Sequence, residues 1–135
     1  MAGKIICIDT SVLIDYYRSK HKADSFFKEL FIGYAQMAVS VITKFEIYNG
    51  TKDSSESKFW NSLFEDFKII PIDEHIIEKA IFINRKLRKN SLQMDFPDLL
   101  IGATAIEHKL KLATLNAKHF SRIENMKLIT SITFK

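Results

Sequence analysis

Short, almost wholly apolar runs alternate with longer amphipathic stretches along this chain. The apolar runs are Lys4–Asp9, Ala38–Ile42, Lys68–Pro71, Lys111–Leu115 and a final one at Lys127–Thr130. They read as strands covered on both faces, because a strand with one wet face would alternate apolar and polar residues. The stretches between them carry apolar residues at spacings of three and four and read as helices. Ser11–Ser19 has Val12, Leu13 and Tyr16 on one face, and His21–Gly33 has Phe26, Phe27, Leu30 and Phe31, with Gly33 suited to a C-cap. Thr43–Gly50 opens on a threonine fit to cap it and closes on Asn49-Gly50. Ser54–Phe67 shows Phe59, Trp60, Leu63, Phe64 and Phe67, and Asp73–Leu92 repeats Ile76, Ile77, Ala80, Ile81, Ile83 and Leu87. Asp98–Leu110 is nearly all apolar in its first half and reads as the most buried helix; Asn116–Arg122 is a short helix or turn. Strands separated by one or two helices make an α/β layer fold with a mostly parallel sheet.

The 135 residues suit one domain, 1–135, able to bury its own core. There is no linker, repeat or low-complexity tract. The net charge of +4 is compatible with a polyanionic partner without demanding one. The single cysteine, Cys7, lies inside the first apolar run and reads as a buried small hydrophobe. With no disulfide to form, no leader-like apolar region and no run long enough to cross a bilayer, a cytoplasmic protein is expected.

Three acids and an amide stand at the ends of strands or at the starts of helices. Asp9 closes the first strand ahead of Thr10-Ser11, Glu46 follows the second, Asp98 heads the apolar helix after Pro97, and Asn116 follows the strand that ends in Thr114-Leu115. In a parallel sheet the strand C-termini share one edge, where open α/β folds place their sites. Carboxylates gathered there repel one another unless a hard divalent cation joins them. Each residue also has a plainer reading. Asp9 can cap a helix, although Thr10 and Ser11 would cap as well; Thr43 and Glu46 satisfy a capping box; Asp98 suits a helix N-terminus, with Asp95 a better cap; Asn116 suits a turn. His119 has no neighbour spaced for a zinc site.

The motifs carrying these residues resemble the PIN-domain ribonucleases, and among them the VapC-like toxins of toxin–antitoxin pairs. Ile8-Asp9-Thr10-Ser11-Val12-Leu13-Ile14-Asp15 is similar to that family's opening motif, and Thr43-Lys44-Phe45-Glu46-Ile47-Tyr48-Asn49-Gly50 to its second. Pro97-Asp98-Leu99-Leu100-Ile101-Gly102-Ala103-Thr104-Ala105 resembles the third, and Leu112-Ala113-Thr114-Leu115-Asn116-Ala117-Lys118-His119-Phe120 the fourth. The resemblance implies a three-layer α/β/α sandwich around a mostly parallel sheet of four to five strands. It implies Asp9, Glu46 and Asp98 as ligands of Mg²⁺ or Mn²⁺, with Asn116 completing the catalytic set where relatives often carry a further acid. His119 stands where some relatives have Asp, so one or two metals remain open.

On that resemblance the expected activity is hydrolysis of RNA phosphodiesters by metal-activated water. Thr10, Ser11 and Thr114 would orient ligands or contact phosphate, and Lys44, Arg85 and Lys118 would meet RNA. The cations at 85–89 read first as the solvated end of a helix, ahead of direct RNA contact. Exposed aromatics able to stack bases are not identifiable, because the phenylalanine stripes read as core. The expected partners are RNA, an antitoxin protein and a second copy of the chain, and no membrane. The alternatives are a housekeeping PIN nuclease of RNA processing, or a PIN module that binds RNA or protein without cleaving; the intact set of acids opposes the latter.

Overall fold

The computed structural model describes residues 4–131. Its five strands are β1 (Ile5–Ile8), β2 (Gln36–Ser40), β3 (Phe67–Ile70), β4 (Leu112–Ala113) and β5 (Leu128–Ile129). They form one all-parallel sheet in the order β3-β2-β1-β4-β5. The helices are α1 (Thr10–Arg18), α2 (Phe26–Gly33), α3 (Val41–Asn49), α4 (Ser54–Phe64), α5 (Glu74–Lys89), α6 (Phe96–Glu107) and α7 (Ala117–Phe120).

The strands alternate their side chains between two separate cores, as the two-residue period of a pleat requires. Ile6, Ile8, Met37 and Val39 enter one core with Trp60, Phe27 and Leu13 from α4, α2 and α1. Cys7, Ala38, Ile70 and Leu112 enter the other with Ile76, Ile83 and Leu87 of α5 and Leu100 and Ile101 of α6. Because both faces are covered, β1 and β2 read as unbroken apolar runs. This is the three-layer sandwich expected from the sequence.

Several element boundaries differ from the sequence expectation. The stretch from His21 splits into a 3₁₀ turn (Lys22–Asp24) and α2, which Ser25 caps by accepting from the Lys28 N–H. Gly33 is no C-cap; Tyr34 ends α2 in extended conformation. The second strand stops at Ser40, whose hydroxyl caps α3 by accepting from the Ile42 N–H, so Thr43 lies inside the helix and no capping box forms with Glu46. α4 ends at Phe64, and Phe67 already belongs to β3. Helices α5 and α6 finish early, with Ser91 and Lys109 at positive φ just beyond them. Gly102 of α6 allows a close approach of Ile123, Met126 and Phe120. Not every phenylalanine is core: Phe31, Phe45, Phe82 and Phe96 are exposed.

Candidate active site

Parallel strands bring the ends of β1, β2 and β4 to one edge. In this sheet the order reverses at β1, since β2 and β4 flank it and the later strands run outward on both sides. A crevice therefore opens beyond the C-termini of β1 and β4, where the chains leaving the two strands diverge. Asp9 follows β1 directly and Thr114 follows β4 directly, so both border it.

Asp9 occupies the N-cap position of α1, yet its side chain caps nothing. It is 2% exposed and accepts two hydroxyl hydrogen bonds on Oδ2, from Ser11 Oγ at 2.6 Å and from Thr114 Oγ1 at 2.8 Å. Those hydroxyls are themselves polarised. Ser11 accepts from the Leu115 N–H at 3.1 Å, and Thr114 accepts from the Asn116 N–H at 2.8 Å. Two relays of main-chain N–H, hydroxyl and carboxylate thus converge on one oxygen, each link strengthening the next. They also stitch β1 and α1 to the segment after β4.

Glu46 lies in the second turn of α3 rather than at its start, and from there it reaches α1. The Thr10 hydroxyl donates to Glu46 Oε1 at 2.7 Å and shares a 2.9 Å hydrogen bond with the Thr43 hydroxyl. Thr43 is fully buried and lies one turn before Glu46 on the same face. It belongs to the site, although the sequence suggested only a cap; the i, i+3 spacing to Glu46 was the available signal.

Asp98 stands in the first turn of α6, two residues after Phe96 opens the helix, and is half-buried. Asp95 takes the N-cap position without capping through its side chain. The Asp98 carboxyl is pushed up from 3.8 to about 6, by burial first and then by the charges of Asp9, Glu46 and Asp95, with His119 pulling the other way. The three acids, carried by three different segments, therefore lie within electrostatic reach of one another. Among the described residues none of them joins an ion pair, and no group of three acid, histidine or cysteine side chains is drawn close enough to grip an ion as it stands.

The remaining sequence candidates divide. Asn116 caps nothing with its exposed side chain; its main-chain N–H is the part that supports the site. Lys118 and His119 are exposed on α7, and His119 lines a cleft of about 240 Å³ with Gln93, Met94, Asp95, Asp98 and Arg122. Arg122 donates to the Gln93 carbonyl at 2.6 Å. Lys44 is exposed on α3, next to buried Thr43. Arg85 is exposed on α5 with no tie to the acids, and its neighbour Lys86 pairs with Glu124 at 2.6 Å, so part of that basic cluster is engaged locally. The Cys7 thiol is pushed up to about 12 by burial and by Asp9, which makes it inert.

The chain matches the family model of the PIN domain over residues 6–126. It is 37% identical over 123 residues to Ribonuclease VapC1 of Methanocaldococcus jannaschii, a match covering 91% of this chain and 84% of that protein. Ribonuclease VapC1 of Rickettsia felis is 31% identical over 128 residues, covering 93% and 95%. Among solved structures, VapBC2 from Rickettsia felis bound to a promoter DNA fragment is similar with a TM-score of 0.81, 22% identity and coverage of 94% and 98%. A toxin–antitoxin complex from Klebsiella pneumoniae gives a TM-score of 0.74 at 28% identity, covering 93% and 96%.

Proposed function

The chain belongs to the PIN-domain family, and from that premise we propose that it is a metal-dependent endoribonuclease, the toxin of a VapBC-type pair. What supports the reading is that Asp9, Glu46 and Asp98 lie within electrostatic reach of one another beside the reversal point of the sheet, with no ion pair to any of them among the described residues. Burial first, and then the charges of Asp9, Glu46 and Asp95, raise the Asp98 carboxyl. Hard oxygen donors with surplus negative charge fit Mg²⁺ or Mn²⁺, which keep several waters and bind through few carboxylates plus substrate phosphate. Asp9, Glu46 and Asp98 would hold the ion; when bound, it would supply Lewis acidity for water and phosphate.

The protein's own groups do the positioning. Ser11 and Thr114 fix Asp9 through Oδ2, so Oδ1 is the oxygen that would remain for an ion, and Thr10 fixes Glu46 through Oε1. His119 and Arg122, beside Asp98, offer donors to a phosphate that approaches from that side. Lys44 and Lys118 bring positive charge to the same edge, where it favours an RNA backbone. Asn116 adds no charge, so one tightly held ion is the expected stoichiometry.

The relatives named as VapC ribonucleases, and the toxin–antitoxin complexes that share the fold, favour this reading over a housekeeping nuclease or a non-cleaving module. They also support an antitoxin protein as the partner. Exposed Ile77, Ile81 and Phe82 on α5 are available for a second copy, and light scattering on the purified chain measures that. Among the described residues no helix is long and apolar enough to cross a membrane. The test is cleavage of single-stranded and structured RNA with and without Mg²⁺ or Mn²⁺, using Asp9→Asn as control. Cleavage that persists in EDTA, or in Asp9→Asn, would sink the proposal.

A further inference from the structure

Beside Glu46 opens a second cleft that the chemistry above does not use. It lies between α1, α3 and α4 and has a volume of about 390 Å³. That is within the range of pockets that seat small organic ligands. Its walls include Tyr17 and Arg18 of α1, Glu46 of α3, Lys52, and Glu56 and Trp60 of α4.

We propose that this cleft seats one nucleotide of single-stranded RNA next to the phosphate being cut, with Arg18 and Lys52 on the backbone and Tyr17 against the base. The inference rests on the nuclease reading and adds to it a determinant of substrate choice. Position is the first reason. Glu46 lines this cleft and Asp98 lines the other, so each of these two acids of the centre opens onto a cleft that a chain lying across the centre can enter. Charge is the second. Arg18 and Lys52 are exposed cations at a site otherwise dominated by acids, where a polyanion needs compensation.

The third reason is a braced aromatic wall. Tyr17 meets Phe59 edge-on at 5.0 Å and Trp60 at 5.4 Å, and Trp60 is fixed in turn by donating its indole N–H to Glu56 at 3.3 Å. A ring held in this way loses little freedom when a base packs on it, and stacking on aromatic side chains is how single strands are bound. Glu56 and the Tyr17 hydroxyl supply an acceptor and a donor for a base edge. Ile14, Ile47 and Trp60 form an apolar floor, and Arg18, Lys52, Asp53 and Glu56 ring it with both signs of charge, which suits a flat base with a charged backbone.

The test uses the full chain and two readouts. Fluorescence anisotropy with labelled single-stranded RNA octamers of mixed sequence, in EDTA, measures binding without chemistry. Mapping cut positions on an RNA library in Mg²⁺ measures preference. Tyr17→Ala should weaken octamer binding about tenfold and erase base preference at one position flanking the cut. Tyr17→Phe, which keeps the ring and its packing, should retain both. Arg18→Ala and Lys52→Ala, at exposed positions that leave folding intact, should each weaken binding several-fold and lower its salt dependence by about one phosphate contact. If the parent cuts RNA and Asp98→Asn does not, yet the Arg18, Lys52 and Tyr17 variants bind and choose sites as the parent does, the cleft proposal is overturned while the nuclease reading stands. Cleft-dependent octamer binding by a parent that never cuts would uphold the cleft and overturn the nuclease. Variants that release a co-expressed antitoxin but bind RNA normally would assign the cleft to that protein and overturn the proposal.

Discussion

Replacing Asp98 by Asn should make the metal-free protein more stable at neutral pH, against the usual expectation for a helix-initiating acid. The folded environment raises this carboxyl from 3.8 to about 6. A rise of about two pH units, at about 1.4 kcal/mol each, sets a ceiling of about 3 kcal/mol for the cost of holding the charge. The group is only half-buried, and solvent screening cuts that to about 1 kcal/mol. The first turn of α6 favours a negative charge by about 0.3–1 kcal/mol, which offsets part of the gain. Asn and Asp have similar helix propensity, so the backbone contributes nothing to the difference. The net is up to about 0.7 kcal/mol, so the expected result is a melting temperature up to about 3 °C higher for Asp98→Asn in EDTA at pH 7.5. The sign with pH follows from linkage. Because the folded pKa lies above the unfolded one, the parent gains stability as pH falls from about 7 through 6 towards 4, while the variant does not. The two melting curves should therefore converge near pH 5. A variant that melts well below the parent at pH 7.5, or a gain that stays constant with pH, would refute the reasoning and make Asp98 a structural cap.

Three further outcomes follow from the same geometry. Asp9→Asn, Glu46→Gln and Asp98→Asn should each nearly abolish cleavage in a gel assay, and combining them should add little, because groups that hold one ion fail as a unit. Thr114→Val removes a buried hydroxyl that donates to Asp9 and accepts from the Asn116 N–H, so it should cost about 2–3 kcal/mol in denaturant melts and slow cleavage as well. Asn116→Ala should fold normally and reduce cleavage only moderately, whereas Asn116→Asp should add or tighten a Mn²⁺ site in calorimetric titration; loss of the fold in Asn116→Ala would instead make that side chain a turn residue.

What the sequence reveals here, and what it hides, has physical causes. The strand interiors were legible because Ile6-Cys7-Ile8 and Met37-Ala38-Val39 serve two cores at once and so cannot alternate with polar residues. The ends of α5 and α6 were not, because Ser91 and Lys109 adopt positive φ without the glycine that usually marks such a stop. The start of α3 was masked by β-branched Val41 and Ile42, which read as strand. That error moved Glu46 to a first turn it does not occupy. That Asp9, Glu46 and Asp98 would gather at one edge was legible because a parallel topology sends strand ends there whatever the exact boundaries; their role as ligands belongs to the proposal. Thr10, Ser11 and Thr114 were legible as neighbours, but their pairing was not: Thr114 reaches Asp9 only because β4 lies beside β1. The cleft at Tyr17 and Trp60 was illegible for the same reason, since it depends on how α1 and α4 approach each other.

The three acids are not equivalent, and the difference bears on how an ion would bind. Asp9 and Glu46 are held by hydroxyl donors whose own geometry is fixed by the backbone or by buried Thr43. Asp98 receives none of these donors and meets their charge instead. In the metal-free protein a proton on Asp98 relieves both its burial as a charge and its repulsion by Asp9 and Glu46, and together these raise it to about 6. A divalent ion competes with that proton for the same space. Mg²⁺ or Mn²⁺ binding should therefore release protons, and the apparent affinity should climb as pH rises through 6 and level off above it. Calorimetry of Mn²⁺ binding at pH 5.5 in buffers of different ionisation enthalpy counts the released protons. The count should approach one at pH 5.5 and fall towards zero by pH 7.5. In Asp98→Asn both the proton release and the climb in affinity should vanish. A parent whose Mn²⁺ affinity is flat between pH 5.5 and 7.5 would show that Asp98 is already ionised without metal, and the repulsion at the centre of the site would be too weak to demand a cation.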